Sequence, residues 1–193
     1  MSNGRMFLGT SECGKTYLAE LQYSSRQKVV AFDYARDMRG GLIVKTSISN
    51  IESLLRKLAG KKEETCRIIF QKDDGQLQED ALELVVGFME GLGQSYGPRA
   101  LVDEEKVVFL IDEVDKCCNK TSIKKIKDGS GAGRHDNIDL RCISQRPTKI
   151  NPDLTQHCKD VFAFMLNGRD DFYERELGQG IGKKLRESPL YTH

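Results

Sequence analysis

The sequence predicts an α/β fold in which helices cover both faces of a mainly parallel sheet. Short apolar runs typical of buried strands alternate with helix-like segments along most of the 193 residues. The strongest run, Val-Val-Phe-Leu-Ile at 107–111, is apolar at every position, as expected for a strand buried on both faces. A chain of this length suits a single domain, 1–193, with one full core.

The elements follow one another without repeats or low-complexity segments. The predicted strands are 6–8, 29–32, 42–44, 66–70, 107–111, 138–144 and 161–165. Predicted helices cover about 16–23, 79–92 and 170–185, and another follows an expected capping box, Ser49 to Glu52, and ends at Gly60. The segment 93–99 is predicted as a loop, and 119–135 as a polar stretch rich in lysine.

The composition excludes several classes of protein. The chain has 30 Lys and Arg against 29 Asp and Glu, a formal net charge of +1, so any contact with DNA requires a local basic patch. No apolar run reaches the roughly 18 residues of a membrane span, and no signal peptide is recognised, which favours a cytosolic protein. The six cysteines form no C-x-x-C pair, so neither a disulfide framework nor a zinc site is expected.

The strongest motif is Gly-Thr-Ser-Glu-Cys-Gly-Lys-Thr at 9–16, which matches the phosphate-loop pattern G-x-x-x-x-G-K-[ST] and follows the strand 6–8. In such a loop, backbone N–H groups and the next helix N-terminus bind phosphates. Lys15 would reach the β- and γ-phosphates, and the Thr16 hydroxyl would bind Mg²⁺. The predicted nucleotide-binding residues are Gly9, Thr10, Ser11, Glu12, Cys13, Gly14, Lys15, Thr16 and Tyr17.

The strand 107–111 ends in Asp112-Glu113, which supplies a second half of the predicted site. Asp112 is expected to bind Mg²⁺, mostly through water, and Glu113 to activate an attacking water as the general base. The Asn-Lys-x-Asp motif by which G proteins select guanine is absent, and small-metabolite kinases do not need a glutamate that activates water. The pair therefore favours a protein that hydrolyses ATP.

Gln145 supplies a third part of the site, because it ends a predicted strand that should lie beside the Asp112 strand. A neutral amide at this position can hydrogen-bond both the γ-phosphate and the attacking water. We therefore predict that Gln145 takes part in catalysis and senses the γ-phosphate. Pro147 is consistent with the end of the strand at this point.

The chain resembles the FtsK/HerA superfamily of DNA-pumping ATPases in three motifs and their order. These are the phosphate loop, the Asp112-Glu113 strand and the Gly-Arg-His…Ser-Gln-Arg-Pro segment at 133–147. Among its short members, the resemblance is closest to the genome-packaging ATPases of membrane-containing and related viruses. The Zot-like assembly ATPases of filamentous phages come second. The resemblance extends from Met6 to about Glu176 and implies a RecA-like P-loop NTPase fold of the ASCE type.

The resemblance also implies how the protein works. Family members hydrolyse ATP with Mg²⁺ as homo-oligomeric rings, often hexamers, around double-stranded DNA. Arg134 occupies the family's Gly-Arg position and is the first candidate for an arginine finger acting on a neighbouring subunit, with Arg141, Arg146 and Arg169 as alternatives. Loops after the Asp-Glu strand face the channel in such rings, so the candidate contacts with DNA phosphates are Lys120, Lys124, Lys125 and Lys127.

The implied function is packaging of a double-stranded viral genome into a capsid, with a capsid or portal-vertex protein as partner, in the host cytoplasm or at the virion vertex. Zot-like extrusion of filamentous phage is the nearest alternative, and the lack of a C-terminal membrane span counts against it. A nucleotide-gated interaction module with little turnover and a small-molecule kinase also stay open. The Asp112-Glu113 pair counts against the module, and the lack of an arginine-rich lid counts against the kinase.

Overall fold

The protein is built on one parallel sheet. The computed structural model describes residues 4–21, 28–36, 38–58, 65–95, 105–130, 137–155 and 158–164. Within this part of the chain, seven strands pair in the order β3-β4-β2-β5-β6-β1-β7, and every pairing is parallel. The strands are β1 (Gly4–Leu8), β2 (Val29–Phe32), β3 (Leu42–Lys45), β4 (Arg67–Gln71), β5 (Val107–Ile111), β6 (Ile138–Ser144) and β7 (Cys158–Ala163).

Six described α-helices connect these strands. They are α1 (Lys15–Leu21), α2 (Ile48–Leu58), α3 (Gln78–Ser95), α4 (Val114–Cys117), α5 (Lys120–Ser130) and α6 (Pro152–Thr155), and a 3₁₀ turn covers Pro147–Lys149. The parallel sheet with flanking helices confirms the predicted α/β RecA-like fold class, since parallel strands require crossover connections that helices supply. The helix predicted at 170–185 lies outside the described residues.

Two apolar cores lie on the two faces of the sheet. The larger core joins α2, α3 and α5 to residues such as Phe70 and Phe109, and Phe70 meets Phe88 of α3 edge-on at 5.1 Å between ring centroids. The smaller core gathers around Ala19 of α1 and includes Phe7, whose ring stacks on Phe162 at 5.0 Å. All five residues of β5 are buried, which fits its uniformly apolar sequence.

The strand order places three strand ends together at one edge of the sheet. β6 lies between β1 and β5, with Leu8 in register with Ser144 and Ile111 in register with Cys142. Because the strands are parallel, their carboxyl ends meet at the same edge, where ligands bind in open α/β sheets. The prediction that the strand before Gln145 lies beside the Asp112 strand is therefore confirmed.

Several local predictions differ from the structure. Helix α2 begins at Ile48 and not after a capping box at Ser49, since Ser47 precedes it and its Oγ accepts a hydrogen bond from the Asn50 N–H at 3.4 Å. The predicted loop at 93–99 is wrong at 93–95, which extend α3. Cys66 lies just before β4 and not inside it, and Gly60 falls outside the described residues.

The lysine-rich stretch after 119 is a helix over much of its length. Asn119 precedes α5, and its Oδ1 accepts a hydrogen bond from the Ser122 N–H at 2.8 Å while Ser122 Oγ accepts one from the Asn119 N–H at 2.9 Å. Ile123 and Ile126 are buried, so α5 is amphipathic. In the described part of the chain, no helix is both long and apolar enough to cross a membrane.

Candidate active site

The phosphate-loop motif forms the turn between β1 and α1. Gly14 has a φ of +86°, a left-handed conformation that glycine adopts without steric cost, and Glu12 has a φ of +60°. The Gly9 N–H donates to the Ser144 carbonyl at 3.2 Å, which attaches the start of the loop to the end of β6. The Leu18 N–H donates to the Gly14 carbonyl at 2.9 Å and starts the hydrogen-bonding pattern of α1.

Lys15 is buried within this loop. Its ammonium group donates to the Thr10 carbonyl and lies 3.7 Å from Cys13 Sγ, which itself donates to the Thr10 carbonyl at 3.0 Å. Thr16 is half-buried in the first turn of α1, and the next side chain, Tyr17, is 51 % exposed. The ammonium group of Lys15 therefore lies against the loop backbone that is predicted to bind phosphates, and the exposed Tyr17 ring lies nearby in α1.

The Asp112-Glu113 pair is buried at the end of β5. Asp112 Oδ2 accepts a hydrogen bond from the Ala35 N–H at 3.4 Å, and the Asp112 N–H continues the sheet by donating to the Phe32 carbonyl at 3.0 Å. Glu113 has φ 48° and ψ 49°, a left-handed conformation that is costly for a residue with a side chain. Strained backbone of this kind is frequent where a side chain must be aimed at a functional site.

Gln145 connects the loop to the acidic pair. Its Oε1 accepts a hydrogen bond from Ser11 Oγ at 2.9 Å, and its Nε2 donates to Glu113 Oε1. One carboxamide therefore contacts both the phosphate loop and the candidate general base. The structure brings these three predicted site residues together, although they come from three different segments of the chain.

Thr16 and Asp112 were the predicted ligands for Mg²⁺, and their chemistry suits this ion. A hydroxyl and a carboxylate are hard oxygen donors, and Asp112 is buried at the edge where the loop begins. Within the described ranges, no cluster of three or more His, Cys, Asp or Glu side chains could hold a metal by itself. Proteins commonly hold Mg²⁺ with one or two side chains, while nucleotide phosphates and water complete the coordination.

Helix α4 contributes residues that the motif analysis did not assign. Ser144 Oγ donates to Asp115 Oδ1 at 2.6 Å, which ties the end of β6 to α4. The Lys116 ammonium lies 3.1 Å from Glu113 Oε2 and 5.1 Å from the centre of the Tyr34 ring. The sequence signal was the charged pair Asp115-Lys116, which follows Glu113 after one valine, but such pairs usually lie on the solvent-exposed surface.

The arginines predicted to act in a neighbouring site have different outcomes. Arg134 and Arg169 lie outside the described residues. The prediction is wrong for Arg141, whose side chain is completely buried and bound to the Asp139 carboxylate and the Ala19 carbonyl. Arg146 is exposed beside Gln145, and its role in a neighbouring site stays a prediction.

The candidate DNA-binding lysines are not equivalent in the structure. Lys120 and Lys124 are exposed on α5, while the Lys125 ammonium lies 3.6 Å from the Glu83 carboxylate, and the side chain of Lys127 is not described. Lys120 lines a cavity of about 500 Å³ together with Lys149, which sequence reasoning did not select. The cavity lies at the carboxyl edge of the sheet, between α5 and the segment that follows β6.

Four of the cysteines, Cys13, Cys117, Cys142 and Cys158, are buried, and Cys66 and Cys118 are partly buried. Two causes raise the pKa of the Cys142 thiol well above its ordinary value: the larger is a hydrogen bond with Cys158, and the second is burial. The pKa of the Cys117 thiol is likewise raised well above its ordinary value, mainly by a hydrogen bond with Cys118 and next by burial. These thiols stay protonated at neutral pH, which disfavours metal binding and nucleophilic chemistry.

Comparison with known proteins identifies solved structures of the same fold. No family model matches the sequence, and a search of curated proteins found no match. The genome packaging NTPase B204 from Sulfolobus turreted icosahedral virus 2, in complex with AMPPCP, superimposes with a TM-score of 0.68 and 16 % identity over 97 % of this chain and 88 % of that chain. Its complex with ATP-gammaS gives a TM-score of 0.65 and 15 % identity over 99 % and 90 % of the two chains.

A third structure is B204 described as the DNA-packaging ATPase from Sulfolobus Turreted Icosahedral Virus. It gives a TM-score of 0.66 and 15 % identity over 97 % of this chain and 88 % of that chain. At these identities the similarity is one of fold. The chain therefore has an α/β RecA-like P-loop NTPase fold, as the resemblance in the sequence implied.

Proposed function

We propose that this protein is an ATP-hydrolysing motor that moves double-stranded DNA and packages a viral genome into a capsid. The observation that carries the proposal is the contact of Gln145 with both Ser11 and Glu113. This amide links the phosphate loop to a buried carboxylate that can accept a proton. The similarity in fold to B204, a genome packaging NTPase, supports the choice of a packaging motor among ATPases of this fold.

The proposed reaction uses the residues in separate roles. Amides of the phosphate loop and Lys15 bind the nucleotide phosphates, and Gln145 orients a water molecule against the γ-phosphate. Glu113 accepts a proton from this water. At the same time the water oxygen bonds to the γ-phosphorus, and the bond between the γ-phosphorus and the ADP oxygen breaks. When bound by Thr16 and Asp112, Mg²⁺ would supply positive charge to the phosphate oxygens.

We further propose that the site is completed in a homo-oligomeric ring. Arg134 of an adjacent subunit would place a second cation near the γ-phosphate, where charge accumulates in the transition state. Such a finger contributes about 10³- to 10⁵-fold to the rate of other P-loop enzymes. Isolated subunits are then expected to turn over slowly, with activity that rises as the protein concentration favours the ring.

DNA would be held through its phosphates at the carboxyl edge. Lys120 and Lys124 are exposed there, and Lys149 shares a cavity with Lys120. Lysines bind phosphates without reading bases, so binding should be indifferent to sequence and strongly weakened by salt. Lys125 is a weaker candidate, because its ammonium group already faces Glu83.

The test is steady-state phosphate release from ATP and Mg²⁺, with and without long double-stranded DNA, at low and moderate salt. Stimulation by DNA that fades with salt is expected for the wild type. Glu113→Gln and Arg134→Ala should abolish it, whereas the exposed controls Glu52→Gln and Arg56→Ala on α2 should keep it. Lys120→Ala should weaken DNA binding and lower its salt dependence, relative to the control Lys57→Ala.

Three outcomes would contradict the proposal. If Glu113→Gln binds nucleotide and turns over like the wild type, the protein is a nucleotide-gated interaction module. If turnover is indifferent to DNA at every salt and protein concentration, and Arg134→Ala is unaffected, the motor is excluded. Transfer of the γ-phosphate to a metabolite in place of water would identify a kinase.

A further inference from the structure

The Glu113 carboxylate is engaged on both of its oxygens. Gln145 Nε2 donates to Oε1, and the Lys116 ammonium lies 3.1 Å from Oε2. The Glu113 side chain is only 5 % exposed, so water has little access to displace either group. A general base needs an oxygen that faces the water it deprotonates, and here each oxygen already faces a positively charged or N–H-bearing group.

Lys116 is itself held in place from two sides. It belongs to the single turn of α4, where its backbone N–H donates to the Glu113 carbonyl at 2.8 Å. Its ammonium also lies 5.1 Å from the centre of the Tyr34 ring, a distance at which a cation is attracted to the ring face. Tyr34 follows β2 and α4 follows β5, so the lysine bridges two neighbouring strand ends.

The two contacts on Glu113 differ in kind. The Gln145 contact is a hydrogen bond. By contrast, no donor in the described part of the chain hydrogen-bonds to Oε2, which the Lys116 ammonium approaches without hydrogen-bond alignment. The attraction to Lys116 is therefore mainly coulombic. Since the carboxylate is buried and the lysine side chain is 30 % exposed, the attraction is weaker than in a fully buried pair and can be broken without unfolding.

We propose that Lys116 is a positioning residue that restrains Glu113 until DNA engages the motor. The inference rests on the proposed function. A γ-phosphate at the loop would compete for the Gln145 amide as a charged acceptor, which frees Oε1, while Lys116 still holds Oε2. Release of Lys116 from Glu113 would then complete the base, so the pair sets the low turnover of the motor without DNA.

Lys116→Met tests this inference, because methionine keeps an unbranched stem and removes the charge. We expect kcat without DNA to rise by about two- to fivefold, the factor that corresponds to a partly exposed ion pair. The KM for ATP should not change, and the fold stimulation by DNA should fall by the same factor. Lys116→Arg, which keeps the charge, should restore the wild-type behaviour, and Lys57→Met on α2 is the matched control.

A second variant guards against an effect on folding. Tyr34→Leu removes the ring beneath Lys116 and should shift kcat in the same direction as Lys116→Met. Thermal melts would verify that each protein is folded. Glu113→Gln added to Lys116→Met should remove the gain, since the gain acts through the base.

The outcomes separate this inference from the proposed function. If the wild type turns over ATP and Lys116→Met is unchanged or slower, the restraint does not exist and the motor stands. If the wild type is silent and Lys116→Met gains turnover that needs Glu113, the restraint is supported. If every protein is silent with and without DNA, both proposals fail.

Discussion

Replacing Arg141 by methionine should destabilise the fold and not act first on catalysis. The Arg141 side chain is completely buried, and its Nε and one terminal nitrogen donate to Asp139 Oδ2 at 3.2 and 2.7 Å. Its other terminal nitrogen donates to the Ala19 carbonyl at 2.5 Å. Ala19 lies in the last turn of α1, where carbonyls lack helical partners, so Arg141 also caps the helix that follows the phosphate loop.

The magnitude follows from the charge that is left behind. Methionine fills much of the volume, but Asp139 stays buried, and breaking a buried ion pair from one side costs roughly 3–5 kcal/mol. Arg5, 3.2 Å from Asp139 Oδ2 and 29 % exposed, compensates in part, which places the expected loss towards the lower end. For a domain of this size the loss lowers Tm by roughly 6–20 °C.

Urea and thermal unfolding would measure the loss, and phosphate release would be measured well below Tm. Adding Asp139→Asn to Arg141→Met should recover part of the stability, because the buried charge is removed with its partner. A folded Arg141→Met protein with an unchanged Tm and abolished turnover would refute this reasoning. It would instead support the role in a neighbouring site that the sequence suggested.

Two further predictions concern backbone and thiol groups. Gly87→Ala on α3 should stabilise the fold by roughly 0.5–1 kcal/mol, because no neighbouring atom of the described residues lies within 4 Å of the new Cβ. Gly41→Ala should destabilise the fold by roughly 1–3 kcal/mol, because its Cβ would lie 2.9 Å from Arg67 Cγ. The midpoints of urea unfolding would measure both changes. The hydrogen bond with Cys158 and burial raise the folded pKa of Cys142, so above the unfolded pKa of about 8.5 the unfolded state binds fewer protons. The free energy of unfolding should therefore fall as the pH rises above about 8.5, and it should fall less in Cys142→Ala. A free energy of unfolding that rises with pH in the wild type would contradict the raised pKa of Cys142.

The fold could be predicted from the sequence because it depends on local patterns. The run 107–111 is apolar throughout and forms β5 with the predicted bounds, and 138–144 forms β6 in the same way. Errors occurred where two local signals compete. Ser47 and Ser49 both suit a helix cap, and the choice of Ser47 depends on where β3 ends, which pairing with β4 decides.

The site could be predicted in part. The placement of Lys15, Asp112 and Gln145 could be predicted because each lies at a strand end or in a motif that fixes its position in the fold, and their roles stay predictions. Arg141 was misassigned because its position within β6 does not reveal which face it occupies or that Asp139 and α1 surround it. Lys116 was missed for the opposite reason, since a lysine after an acidic pair is usually exposed and unpaired.

The strand order explains why the side chains of the candidate site lie together. Ser11 follows β1, Gln145 follows β6, Glu113 follows β5 and Tyr34 follows β2, and these strands are consecutive neighbours in the sheet. Each of these side chains contacts the next one, in the order Ser11, Gln145, Glu113, Lys116 and Tyr34. The series of contacts therefore crosses the ends of four neighbouring strands. Had β5 paired directly with β1, Gln145 could not lie between the phosphate loop and the base. The insertion of β6 is thus what lets one amide contact both Ser11 of the phosphate loop and Glu113. This insertion depends on pairing between distant segments that no single motif encodes.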